Sequence, residues 1–456
     1  MAIDTTSPAQ SEAGIEKLGI ERVTAADRKH VRVFDNLTMW LSANLVISTI
    51  AVGTLAVPIF KMGFWDSFLA IVLFNALGVL PVAFFATLGP KLGLRQMTIT
   101  RFSFGWIGAA IMALFNVAAC LGWSAVNVIV GAQLITQITH APNWVGIVVI
   151  ALITTFVSLY GYSYVHKYER YAWIPMALIF GLLAAVAGPH YHLVATPVFN
   201  LAELAAIISF GGAVYGFATG WSSYAADYNV HQPEDTPARR VFWLTFIGVT
   251  VPCILLETFG VLISIAFTGD STGAILAHVA APLGAFGPVL LGLLALSIVA
   301  NNIPNDYSLG LSMQVPGRGF QKVNRAVWTV IGAVIYVAIA IPAAAHFYET
   351  MENFLLLIAY WLGPWSVILI LEHFVFRKGV YNAEDWNTQG KLPIGWAAIA
   401  AMVAGLAGVY LGANQQAFTG PIAKALNMDV GFELGMVLAA IVYLILRPIE
   451  RKSDPE

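Results

Sequence analysis

The sequence predicts an all-α polytopic membrane protein with twelve transmembrane helices, and three observations support this. Only 11% of the 456 residues are charged and 59% are hydrophobic, whereas soluble proteins carry about 25% charged residues. Apolar segments near the ~20 residues that a helix needs to cross a bilayer recur along the chain. The basic residues between these segments gather on alternate sides, as successive membrane crossings require.

The predicted spans follow a segment of mixed charge, residues 1–35, which lacks the apolar core of a signal peptide and is expected to be a cytoplasmic tail. A second cytoplasmic tail, residues 448–456, follows the last span. The third and eighth spans are longer than a straight crossing, so we expect them to tilt or to extend beyond the bilayer. The twelve spans lie at about 37–60, 65–89, 103–137, 143–163, 170–189, 203–226, 241–267, 283–312, 325–344, 351–375, 393–413 and 431–447.

The positions of Lys and Arg predict that both termini are cytoplasmic. With the amino terminus inside, 21 of the 23 basic residues fall in cytoplasmic segments, and only Lys61 and Lys424 fall outside. This is the asymmetry that the positive-inside rule describes. A missed or additional span would have placed the basic residues of all later loops on the opposite side of the membrane. We therefore expect a multi-pass protein of the cell membrane, surrounded by lipid.

Several functional classes are disfavoured by what the sequence lacks. The nine histidines show no HxxxH or HExxH spacing, and no glycine-rich phosphate loop occurs. Cys120 and Cys253 stand singly in apolar spans, where packing is their expected role. We predict no metal site, no cofactor and no enzymatic activity. No basic run interleaved with aromatic residues suggests a nucleic acid, and no obligate protein partner is evident, so a transporter or a channel remains.

The third span carries polar residues on one helical face. Asn116, Cys120, Trp123 and Asn127 follow one another at steps of four, three and four. Amides in hydrocarbon cost free energy unless they meet a partner. Two interpretations stay open at this point. The amides hold neighbouring helices together, or Trp123 offers a stacking surface beside an amide that reads a polar solute.

The sixth span contains a glycine-rich run, Ser209–Trp221, with Gly211, Gly212, Gly216 and Gly220. Each glycine inside a helix costs about 1 kcal/mol relative to alanine. The spacing of the last three also suits close packing of two helices. The alternative is a discontinuous helix whose freed backbone groups bind a solute near the membrane midplane.

Carboxylates and carboxamides gather in the seventh and eighth spans. Glu257 has apolar neighbours on both sides. An acid within a membrane span indicates a function by default, although a glutamate bonded to a neighbouring helix fits the sequence as well. The eighth span carries a denser polar group around a proline that removes one backbone donor: Asn301, Asn302, Pro304, Asn305 and Asp306.

The tenth span carries Gly363 and Pro364 near its middle. Prolines are the commonest cause of helix kinks. We therefore expect the outer half of this span, residues 354–361, to swing as a unit and to act as a gate.

Short motifs in four spans now indicate a family. Arg101–Gly105 (RFSFG), which opens the third span, looks like the hallmark of the nucleobase–cation symporter-1 family. Further motifs, in order along the chain, resemble its purine–cytosine permease branch: Trp40–Asn44 (WLSAN) followed by Ser48, Thr49 and Gly53, then Trp123 with Asn127, Gly220 with Trp221, and Asn301–Asn305 (NNIPN). The resemblance runs over essentially the whole chain from about Phe34.

The resemblance implies a leucine-transporter-like fold. Residues 36–190 and 203–376 would form two inverted repeats of five helices, and residues 393–447 would form two peripheral helices. The first helix of each repeat would be broken, which favours the discontinuous form of the sixth span. The implied function is import of nucleobases such as cytosine, adenine or hypoxanthine by alternating access.

The resemblance also implies site residues. A flat heterocycle would lie between Trp123 and Trp221, and Asn127 and Asn305 would read its edge, because an amide offers one acceptor and two donors in a plane. Asn301 competes with Asn305 for this role. The other expected contacts are Gly220, Pro304, and Ser48 or Thr49.

The expected coupling ion is a proton. Sodium-coupled relatives carry adjacent hydroxyl residues early in the eighth span, whereas residues 295–300 contain only Ser297. Glu257 is the first candidate for the proton carrier, followed by Asp306 and Asp227. The alternatives are sodium coupling, an uncoupled facilitator, or another small heterocycle such as hydantoin, allantoin or a pyridoxine-like ring.

Overall fold

The computed structural model describes residues 19–28, 32–159, 162–194 and 199–451. The β-structure within these ranges is one short hairpin, in which Asn414–Gln415 pairs with Phe418–Thr419; the rest is helices and connecting loops. The two predicted tails, 1–35 and 448–456, lie partly outside the described residues.

Twelve helical elements match the twelve predicted spans. Eight helical segments of the described chain are long and apolar enough to cross a membrane, and the bent pair Asp35–Asn44 and Ile47–Thr54 adds a ninth. One of the eight, Arg325–Phe376, holds two successive helices, and the shorter helices Asn143–Ser158 and Trp396–Gly412 occupy the fourth and eleventh positions. The all-α polytopic architecture is confirmed.

The spans are numbered here as in the sequence. In order they are Asp35–Asn44 with Ile47–Thr54, Phe64–Ala86, Arg101–Thr139, Asn143–Ser158, Tyr162–Ala187, Leu201–Thr219, Ala238–Ala266, Phe286–Ser312, Arg325–Ala343, Phe347–Leu371, Trp396–Gly412 and Gly431–Glu450. Shorter helices and turns connect or extend them: Ala25–Asp27, Leu88–Leu92, Gln96–Ile99, Gly188–His190, Gly220–Tyr228, Thr272–Ala280, Ala281–Leu283, Arg318–Gln321, Ala344–His346, Glu372–Phe376, Ala383–Asn387, Gln389–Lys391 and Pro421–Leu426.

The first span is broken and bends by 53° between its two halves. The break falls at Leu45 and Val46, where Val46 is extended (φ −139°, ψ 160°). The motif residues Ser48, Thr49 and Gly53 lie further on, inside the second half-helix. The observed position has neither glycine nor proline, so the break depends on contacts with other spans.

Those contacts come from side chains that replace lost backbone hydrogen bonds. At the end of a helix the last carbonyls have no partner within the helix. Here the Ala43 carbonyl accepts a hydrogen bond from Asn301 Nδ2 at 2.6 Å. The Asn44 carbonyl accepts one from Thr49 Oγ1 at 2.7 Å. The break is therefore stabilised by the eighth span and by the second half-helix itself.

The sixth span is also discontinuous. Its α-helix ends at Thr219, and a 3-10 segment, Gly220–Tyr228, continues with a non-helical residue at Tyr224 (φ −144°). The glycine-rich run serves close packing as well, because Gly216 faces the backbone of Leu355 in the tenth span. The run therefore packs closely against the tenth span and precedes a kink, while binding of a solute by its backbone groups stays a prediction.

The third span is a single 39-residue helical element with a kink at Gly105. Gly105 has φ +64°, a conformation that glycine adopts without steric cost, and a Cβ there would lie 2.4 Å from the Pro393 carbonyl oxygen. The helices of the eighth and tenth spans, by contrast, continue through Pro304 and Pro364.

Candidate functional site

A small cavity of about 10 Å³, close to the volume that one water molecule needs, lies where the third, sixth and eighth spans meet. Five predicted site residues line it together with two unpredicted ones, Phe217 and Tyr224. The predicted lining residues are Trp123, Gly220, Trp221, Asn301 and Asn305. The structure therefore brings both tryptophans and two of the three asparagines expected there to one place.

Trp123 forms one wall and is 5% exposed. Its ring meets Phe217 edge-on at a centroid distance of 5.5 Å and Phe354 at 4.9 Å. Gly220 approaches so closely that a Cβ there would lie 2.8 Å from Trp123 Cζ2, which explains the need for glycine. The indole Nε1–H has no hydrogen-bond partner among the described residues.

Trp221 forms a second wall, and the first span fixes its orientation. Its indole Nε1–H donates to Asn44 Oδ1 at 3.0 Å. The ring also meets Trp40 and Tyr224 edge-on at 5.4 and 5.6 Å. Asn44 is the last residue before the break in the first span, so this break and the position of Trp221 are linked directly.

Asn127 and Ser48 lie one layer behind the cavity lining. Ser48 Oγ–H donates to Asn127 Oδ1 at 2.7 Å. Asn127 Nδ2 donates to Asn301 Oδ1 at 2.5 Å and to Asn302 Oδ1 at 3.2 Å. In this conformation Ser48 and Asn127 therefore form hydrogen bonds with other protein groups. Thr49 donates a hydrogen bond to the Asn44 carbonyl at the helix break. None of the three lines the cavity.

Asn305 faces the cavity beside a tyrosine that the sequence did not single out. The hydroxyl of Tyr224 donates to Asn305 Oδ1 at 2.7 Å. Pro304, one residue earlier, does not line the cavity; its carbonyl accepts from the hydroxyl of Tyr228 at 2.8 Å. The spacing of Tyr224, three residues after Trp221, was the signal available in the sequence.

The buried carboxylates differ in how many donors they meet, and none of them lines the cavity. Glu257 Oε2 accepts from Asn75 Nδ2 at 2.6 Å, while Oε1 has no hydrogen-bond partner among the described residues. The backbone of Glu257 packs against Gly53 in the second half of the first span. Glu257 thus links the broken first span to the second and seventh spans.

The two aspartates accept hydrogen bonds at both oxygens. Asp227 accepts from the Gln96 backbone N–H at 2.7 Å and from Ser308 Oγ at 3.2 Å. Asp306 accepts from two hydroxyls at longer distances, those of Ser124 at 3.3 Å and Ser158 at 3.5 Å. Both aspartates therefore have hydrogen-bond partners within the protein in this conformation.

The expected gate in the tenth span does not line the cavity but contacts one of its lining residues, Trp123. Phe354, in the outer half of this span, packs edge-on against Trp123. Pro364 packs against small residues, because Gly405 and Gly435 of the last two spans face its ring.

Among the residues that the structure describes, no group of three or more His, Cys, Asp or Glu could hold a metal ion.

A broken first span and a sixth span kinked at Tyr224 meet beside a cavity between the helices, and this arrangement is typical of solute transporters of the leucine-transporter-like class. The chain belongs to the family described as permeases for cytosine/purines, uracil, thiamine and allantoin, which it matches over residues 22–435. This family membership confirms a transporter and not an enzyme.

Relatives along almost the whole chain support this assignment. The purine-cytosine permease fcyB of Emericella nidulans is 43% identical, with 97% of this chain and 90% of that protein covered. A purine-cytosine permease of Saccharomyces cerevisiae is 36% identical, with 96% and 87% covered.

Solved structures of one transporter confirm the fold. Mhp1, a nucleobase-cation-symport-1 family transporter, superposes in its inward-facing conformation with a TM-score of 0.76 at 15% identity, with 97% of this chain and 96% of that one covered. Its closed conformation with bromovinylhydantoin bound superposes with a TM-score of 0.73 at 16% identity, with 99% of this chain and 97% of that one covered.

Proposed function

We propose that this protein imports nucleobases, such as cytosine, adenine and hypoxanthine, across the cell membrane by alternating access. The observation that carries the proposal is the cavity lined by Trp123, Trp221 and the amide of Asn305. Stacking of a base on an aromatic side chain contributes about 1–3 kcal/mol, and a planar amide matches the donor and acceptor edge of a base. The relatives named purine-cytosine permeases support the same substrate class.

In this proposal the base lies between the two tryptophans and Asn305 reads its edge. Asn127 and Ser48 hold Asn301 and Asn302 in place from behind, and Asn301 in turn caps the broken first span. Both termini face the cytoplasm, since 21 of the 23 basic residues fall on that side.

A proton carried by Glu257 drives import. The free oxygen of Glu257 leaves room for a proton, and its position against the broken first span ties protonation to an element that moves in such folds. Two carbonyls at the break already accept hydrogen bonds from Asn301 and Thr49, which disfavours their use as ligands for sodium. Asp306 and Asp227 are less favoured proton carriers than Glu257, because each of these carboxylates already accepts hydrogen bonds from two donors.

The test is uptake of labelled cytosine by cells that lack their own base transporters, with a panel of unlabelled competitors. We expect cytosine, adenine and hypoxanthine to compete, and hydantoin, allantoin, thiamine and pyridoxine not to compete. Cells that express Trp123→Ala at the same level are the control and should show no saturable uptake. Strongest competition by a heterocycle outside the nucleobases would contradict the proposed substrate.

A further inference from the structure

We propose that Tyr224 determines which bases the site accepts, because its hydroxyl donates to Asn305 Oδ1 and both oxygens then present only lone pairs to the cavity. These oxygens select a substrate that offers an N–H donor, such as the amino group of cytosine or adenine. The inference rests on the proposed nucleobase function and adds a specificity-determining residue to it. Tyr224 is 2% exposed, lines the cavity and occupies the non-helical position of the sixth span.

The orientation of the Asn305 amide follows from its neighbours. Its Nδ2 lies 3.3 Å from the Asn301 carbonyl oxygen and 3.4 Å from Asn302 Oδ1. Both atoms are acceptors, so the NH₂ group must face them and the amide cannot be flipped without two unfavourable contacts. Oδ1 is therefore the atom that meets the Tyr224 hydroxyl, and the hydroxyl must donate.

The hydrogen-bonding capacity left in the cavity then consists mainly of acceptors. Tyr224 has given its only hydroxyl hydrogen to Asn305 and keeps its lone pairs, and Asn305 Oδ1 keeps a second lone pair. Asn301 donates to the Ala43 carbonyl and accepts from Asn127. Among the side chains that line the cavity, the donors left are the indole N–H of Trp123, which has no partner among the described residues, and the second hydrogen of Asn301 Nδ2.

A base with an amino group satisfies this arrangement. Its N–H can donate to Tyr224 or Asn305, while a ring nitrogen elsewhere on the base can accept from Trp123. A base with a carbonyl oxygen in place of that amino group, such as hypoxanthine, would set acceptor against acceptor at this point and should therefore compete more weakly than adenine. A base with hydrogen in that place would lose the bond without repulsion.

The experiment compares bases that differ by one amino group, adenine with purine and cytosine with 2-hydroxypyrimidine. Binding is measured on the full-length protein in membranes, for the wild type and for Tyr224→Phe. We expect the wild type to prefer the amino-bearing member of each pair about tenfold, which corresponds to about 1.4 kcal/mol. In Tyr224→Phe this preference should fall severalfold, because the Tyr224 oxygen, one of the two acceptors that face the cavity, is gone.

Tyr228→Phe is the matched control, because Tyr228 donates to the Pro304 carbonyl and does not line the cavity. It should keep the wild-type preference. Asn305→Ala is a second variant that should also lose the preference, so the inference stays testable if Tyr224→Phe does not reach the membrane.

An unchanged preference in Tyr224→Phe, or an equal loss of affinity for all four bases, would overturn the specificity role while leaving the nucleobase function intact. A wild-type protein that binds none of the bases would instead refute the proposed function itself, and the inference with it.

Discussion

Some side chains line the cavity, and others hold those lining side chains in position. Trp221 faces the cavity, while Asn44 holds its indole from the first span. The sequence revealed the tryptophans and asparagines because polar and bulky groups stand out in apolar spans. It did not reveal Phe217 or Tyr224, because aromatic residues are common in such spans and the three-residue spacing of Tyr224 from Trp221 does not by itself distinguish a residue that faces inward.

The first prediction concerns the two aromatic walls. Trp123→Ala and Trp221→Ala should each reduce affinity for cytosine by roughly tenfold to over a hundredfold, because each removes a stacking surface worth about 1–3 kcal/mol. Affinity is measured by competition in membranes with equal amounts of protein. Wild-type affinity in both variants would contradict the placement of the base between these rings.

The second prediction separates a residue that faces the substrate from one behind it. Asn305→Ala should change the ranking of adenine, cytosine and hypoxanthine. Asn127→Ala should weaken all three alike and lower the melting temperature, because Ser48 and Asn301 lose a buried partner at a cost of about 1–3 kcal/mol. A changed ranking in Asn127→Ala would show that Asn127 reads the base directly.

At the scale of single helices, the two breaks show what a local sequence encodes. The non-helical residue of the sixth span, Tyr224, follows shortly after the glycine-rich run, and this composition favoured a discontinuity there. The break at Leu45 and Val46 has no such mark. It depends on Asn301 from the eighth span, more than 250 residues away, which caps the Ala43 carbonyl. A contact of that kind cannot be derived from the local sequence.

The third prediction concerns the tenth span as a gate. Pro364→Ala should slow transport severalfold while leaving the affinity for cytosine within about twofold of the wild type. Alanine restores a backbone donor and stiffens the helix, yet it keeps the Cβ that Gly405 faces. Initial uptake rate and equilibrium binding are measured on the same membranes. Equal rates for both proteins would remove Pro364 from the gating mechanism.

For the whole molecule, hydropathy located all twelve spans because the bilayer imposes both length and composition on each. The clustering of Lys and Arg predicted the orientation of the chain, which stays a prediction. The division into two inverted repeats, residues 36–190 and 203–376, came from the resemblance and also stays a prediction. The mutual placement of Glu257, Asn75 and Gly53 could not be predicted, since it requires the packing of three separate spans.

The fourth prediction concerns coupling through Glu257. Glu257→Gln should bind cytosine with near wild-type affinity but fail to accumulate it, because the amide cannot take up and release a proton. Its uptake should also lose the dependence on external pH that the wild type shows. Asp227→Asn and Asp306→Asn serve as comparisons, since both aspartates have two donors in the structure. Normal pH-driven accumulation by Glu257→Gln would exclude this carrier.

The most direct test of the account is accumulation of labelled cytosine by purified protein in sealed liposomes with an imposed pH gradient. We expect the base to be concentrated inside when protons flow inward, the accumulation to collapse on addition of a protonophore, and Trp221→Ala to show none. Equilibration without concentration would contradict proton coupling and indicate a facilitator. Absence of saturable cytosine uptake by the wild type would contradict the central claim that the Trp123–Trp221 cavity is a nucleobase transport site.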